Sequence, residues 1–186
     1  MGDPKAGVSA LQWAITAMSD TTDRLSRMAG TGDRTRAFAV IGEVVWWVTI
    51  VDATLVRHHA EAYDAAMAGQ PPAERELVEN TLAGLRFVRN RIGGHGDIGE
   101  FIEPGEAVPG AGEGPVTGWT WRLVPEPEVA SLPPRGQAWE MTRYQAYQAQ
   151  LAARTVGEVF GLAASFLKLA AANAPSVIGT SVPAGQ

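Results

Sequence analysis

The chain has 186 residues, a formal charge of -5, no cysteine and three histidines. That is long enough for one domain with a proper core. It excludes a disulfide scaffold, a thiol nucleophile and any cysteine-based zinc site. The acidic balance argues against a chain coated in basic residues for duplex binding, though a local basic groove remains open. Of the basic residues thirteen are Arg and only Lys5 and Lys168 are Lys.

The opening MGDPKAGVSA lacks a basic stretch followed by an apolar core, so it does not read as a signal peptide. The most apolar run, Val44 to Val51, is interrupted at once by Asp52, well short of the ~20 apolar residues of a membrane span. The expectation is a cytoplasmic protein with no membrane partner.

Four helical segments follow in order. Val8, Leu11, Ile15, Met18 and Leu25 form one apolar stripe, and the Gly30-Thr31-Gly32 stretch should stop that helix. A second segment runs from about Thr35 to Ala68 and is apolar nearly all round in its first half, which predicts the central helix. Pro71-Pro72 separate it from a third, where Val78, Leu82, Leu85, Val88 and Ile92 make the stripe and Gly93-Gly94 end it. Residues 99–135 hold seven of the twelve prolines and recurrent glycine. This reads as an insertion, with the alternating Trp119-Thr120-Trp121-Arg122-Leu123 as a short hairpin arm. The fourth segment, about Gly136 to Ala172, carries Met141, Tyr144, Gln148, Leu151, Thr155, Val159, Leu162, Phe166 and Leu169 at 3/4 spacing. The prediction is an all-α bundle of four, up to five, helices with a Pro/Gly-rich insertion. It forms a single domain over residues 1–175, with a tail at 176–186.

The chemistry concentrates in Leu85-Arg86-Phe87-Val88-Arg89-Asn90-Arg91-Ile92-Gly93-Gly94-His95. On a helical wheel Arg89 falls about 20° from Val78, inside the apolar stripe, with Arg86 on its flank. An Arg aimed inward needs a partner, because an unpaired buried charge costs several kcal/mol. Asp52 is the only acid between Val44 and Ala60 and shares a face with Val45, Val48, Leu55 and His59. It is therefore the expected core partner of Arg89, or of an imidazole. No acid lies between Asn80 and Gly96, where Arg86, Arg89 and Arg91 make a local positive surface.

Arg89-Asn90, four residues, then His95 is the pattern R-N-x-x-x-x-H. In this the chain resembles the HEPN superfamily. The resemblance implies a four- or five-helix bundle and metal-independent cleavage of RNA to a 2′,3′-cyclic phosphate and a 5′-hydroxyl. It also implies a homodimer that joins two motifs in one cleft, single-stranded or loop RNA as partner, and no cofactor. Arg89 would hold the phosphate, Asn90 would orient it, and His95 would manage protons. A role as toxin or effector in a bacterial defence system, with a possible antitoxin partner, belongs to the same resemblance. The motif covers seven residues. The helix order extends the likeness loosely over residues 8–172, with 99–135 unmatched.

A second reading stands beside it: a non-catalytic helical binding module whose Arg89-Asn90-His95 cluster is structural. Trp46-Trp47 read as core or dimer interface, and Trp119 and Trp121 as packing for the insertion rather than base-stacking plates. His58 and His59 point about 100° apart on a helix, so they are poor joint ligands and no metal site is expected.

Overall fold

The computed structural model describes residues 4–28, 33–94, 96–105 and 118–174, with side chains described from residue 10 onward. The architecture is all-α with one small hairpin. Six helices are present among the described residues: α1 (Pro4–Met28), α2 (Arg34–His58), α3 (Ala60–Ala68), α4 (Pro72–Gly94), α5 (Pro134–Gln150) and α6 (Val156–Ala172). Strands β1 (Ile102–Pro104) and β2 (Trp119–Trp121) pair antiparallel, with Ile102 opposite Trp121 and Pro104 opposite Trp119.

Helix α2 is central, packing against α1, α3, α4 and α6. Its Val40, Ile41, Val44, Val45, Val48, Val51 and Leu55 are all buried, as its apolar circumference requires. The Asp33 side chain caps its first turn by accepting from the Arg36 N–H at 3.0 Å. By length and composition α2 could also cross a membrane, with a mean hydropathy of 1.7 in its most apolar window. Here half of that window is buried by the neighbouring helices.

Two expected long helices are each broken in two. The second segment turns at His59, whose backbone leaves the helical region (φ −138°, ψ 39°). That turn lays α3 on α6, where Tyr63 meets Phe166 edge to face at 5.3 Å between centroids. The fourth segment breaks at Leu151–Arg154, where Ala153 takes a left-handed φ of 65°. The cause is tertiary. The Ala153 N–H donates to the Trp121 carbonyl at 2.8 Å, and the Trp121 N–H donates to the Arg154 carbonyl at 3.0 Å. Strand β2 thus occupies backbone groups that a continuous helix would need. Thr155 and Glu158 then restart α6 with a reciprocal capping box.

Trp119 and Trp121 pack the described part of the insertion onto the bundle, as the sequence suggested. Trp121 is fully buried against Tyr147 and Phe160, and Trp119 sits edge to face on Phe38. Tyr147 donates its hydroxyl to the Arg122 carbonyl at 2.6 Å, and Gln148 donates to the Val124 carbonyl at 2.7 Å. These bonds fasten the chain after β2 along α5.

Candidate functional site: an arginine-lined groove

The groove grows from one ion pair. Asp52, 1% exposed on α2, would be intolerable without a counter-charge. Its partner is Arg86, not Arg89. The Arg86 guanidinium grips it with two bonds, Nε to Oδ2 at 2.6 Å and Nη2 to Oδ1 at 2.7 Å. This is the two-pronged geometry that arginine alone offers. Tyr63 of α3 adds its hydroxyl to Oδ1 at 3.3 Å. Burial would lower the pKa of Arg86, but the hydrogen bond and charge of Asp52 outweigh it and the net shift is upward. Burial also pushes the Tyr63 phenol up, and the neighbouring Asp52 charge pushes it further.

With Asp52 taken, Arg89 is only half-buried. It leans on the face of Trp46, 4.7 Å from the ring centroid. Trp46 is accordingly not core, being 42% exposed. Trp47 is half-buried and meets Trp13 edge to face at 4.8 Å.

Asp52, Arg86 and Arg89 line a cavity of about 520 Å³ between α2, α4 and α5. Helix α2 supplies Ile50, Asp52, Ala53, Val56 and Arg57, helix α4 supplies Arg86, Arg89 and Asn90, and helix α5 supplies Trp139 and Arg143. The spacings are those of single helix faces: 50, 53 and 57, then 86 and 90, then 139 and 143. Four arginines and a single carboxylate therefore line one groove, and Arg86 alone pairs with that carboxylate. Among the described residues no carboxylate pairs with Arg57, Arg89 or Arg143. Such a concentration of one sign in a partly enclosed groove raises the local concentration of anions.

Asn90 also borders a second, smaller cavity of about 310 Å³ with Arg91, Gly94, Gly96 and Glu100. Here α4 ends at Gly94, as its paired glycines suggested. The Gly96 N–H donates back to the Arg91 carbonyl at 2.9 Å, a closing bond of the helix-terminating kind. A Cβ on Gly96 would meet that carbonyl oxygen at 3.0 Å, so the close return suits glycine. The structure therefore brings Arg89 and Asn90 to one groove wall. His95, the third residue of the motif, lies outside the described residues.

Three groove residues were missed by sequence reasoning: Arg57, Trp139 and Arg143. A usable signal existed on α5, where Arg135 and Arg143 stand four residues either side of Trp139 and place all three on one face. His58 is exposed, and His59 is half-buried with no partner for its Nε2 among the described residues. Among the described residues no cluster of three or more His, Asp or Glu could hold a metal ion. No family model matches the chain, and neither a curated protein nor a solved structure does.

Proposed function

We propose that the groove seats the backbone of single-stranded RNA, and that the chain is a HEPN-like, metal-independent endoribonuclease. One observation carries this reading: three arginines that no carboxylate pairs with among the described residues share a groove with Asn90, and one of them is the motif's own Arg89. Guanidinium groups bind phosphate through paired N–H donors. In RNA the nucleophile belongs to the substrate, since the 2′-hydroxyl stands beside the phosphorus. Its oxygen attacks, the bond from phosphorus to the 5′-oxygen breaks, and a cyclic phosphate and a 5′-hydroxyl result.

The protein's tasks are then electrostatic and protonic. Arg89 neutralises the charge that builds on the phosphate oxygens. Asn90 fixes the orientation of the phosphate. His95 takes the 2′-hydroxyl proton or delivers one to the leaving 5′-oxygen. A second copy of the chain in a homodimer would supply the complementary proton carrier. A role in defence, with an antitoxin to restrain it, is the biological setting that fits such an activity.

The Asp52–Arg86–Tyr63 cluster favours the second reading, a binding module without catalysis, because it shows that polar groups here also serve the core. Incubation with RNA in EDTA separates the two. Wild type is expected to release cyclic phosphate, while Arg89→Ala and His95→Ala do not. Arg89→Ala should stay folded, because its contact with Trp46 is worth only about 0.5–1 kcal/mol. RNA left intact by wild type, or cut equally by both variants, removes the enzyme reading.

A further inference from the structure

We infer that Trp139 is a stacking plate for an unpaired base, so that the groove recognises bases as well as phosphates. This deepens the RNA reading and rests on it. Trp139 is 55% exposed on α5 and lines the same groove as Arg89 and Asn90. A large aromatic side chain left this open sacrifices burial that a core position would give it. Among the described residues it is neither part of the hydrophobic core nor packed against it. Instead two guanidinium groups of its own helix lie near the ring, Arg135 at 5.0 Å and Arg143 at 5.7 Å from the centroid.

Those contacts are the exposed, weak kind of cation–π interaction, and stacking of a base on an indole is stronger. A base can therefore displace Arg143 from the ring. The freed guanidinium has no carboxylate to return to among the described residues, and its neighbour in the groove would be the phosphate of the same nucleotide. One helix face thus offers a plate for the base and a cation for the backbone, four residues apart. Stacking requires an exposed base face, which a duplex interior does not present. The groove accordingly selects unpaired nucleotides.

The test uses uridine octamers with 2′-O-methyl groups, which cannot be cut, alongside an abasic ribose-phosphate octamer of the same length. Binding is read by fluorescence anisotropy. Trp139→Leu should bind the uridine octamer about tenfold more weakly and the abasic octamer within twofold of wild type. Trp139→Phe should recover most of the loss. Arg89→Gln should weaken both ligands. If Trp139→Leu weakens neither ligand, or both equally, while Arg89→Gln weakens both, the stacking role is overturned and the phosphate seat stands. Binding of neither ligand by wild type overturns both. Thermal melting by circular dichroism confirms that each variant is folded.

Discussion

A single acid decides the arrangement at the scale of residues. Asp52 ends the apolar run Val44 to Val51 of the central helix, and that was legible in the sequence because no other acid lies between Val44 and Ala60. Its partner was not. A helical wheel orders residues around one axis, but it does not fix how two helices are rotated against each other, nor how far a long side chain reaches. Arg86, on the flank of the α4 stripe, reaches the carboxylate, and Arg89 is left for the groove. Removing the carboxylate should therefore strand Arg86. Because that side chain is 34% exposed, we expect Asp52→Ala to lose about 2–3 kcal/mol in denaturant unfolding, below the figure for a fully buried pair. The double variant Asp52→Leu/Arg86→Met should regain most of it, since a well-packed apolar pair can replace a buried ion pair. An unchanged midpoint for Asp52→Ala would refute the ion pair's structural role.

The phenols give a second residue-scale prediction. Burial raises the pKa of Tyr63 and of Tyr147. The folded state then keeps two protons that the unfolded chain loses near pH 10. This stability is fully present below about pH 10 and is lost as the pH rises further. The melting temperature should fall through that alkaline range, and Tyr63→Phe should make the fall shallower. Absorbance at 295 nm should show both phenols ionising only late while the fold survives.

Among the elements, α1, α4, α5 and α6 were legible from apolar residues at the helical period, and α2 from its all-round apolar run. The two breaks were not. Neither His59 nor Leu151–Arg154 carries the Gly or Pro punctuation that marks a helix end. The second break is imposed by a strand from elsewhere in the chain, information that no local window holds. The pairing of α4 with α5 has a clearer local cause. A Cβ at Gly84 would lie 2.7 Å from Leu151 Cδ1 and 3.0 Å from Tyr147 Cα. The side chain can swing away, but the backbone of α5 cannot. Gly84→Ala should thus cost about 1–3 kcal/mol by overpacking. It should also weaken RNA binding, because α5 carries Trp139 and Arg143. Unaltered stability in this variant would mean that the two helices are not held at the spacing described.

For the molecule as a whole, the charge of -5 conceals its most informative feature. The acid-free stretch of α4 was visible in sequence and pointed to a basic surface. Its completion by Arg57 and Arg143 was not, because those residues lie on helices distant in the chain and only the packing of α2, α4 and α5 joins them. The central claim is that Arg57, Arg89 and Arg143 form a phosphate seat. Each phosphate contact to a single strand releases condensed cations and adds about 0.7 to the steepness of log affinity against log salt. The most direct test is the affinity for a 2′-O-methyl uridine octamer measured across a salt series. Wild type is expected to show a slope of about −2, with Arg89→Gln and Arg143→Gln each flattening it by about 0.7. A slope that neither variant changes, or no binding at low salt, would contradict the account.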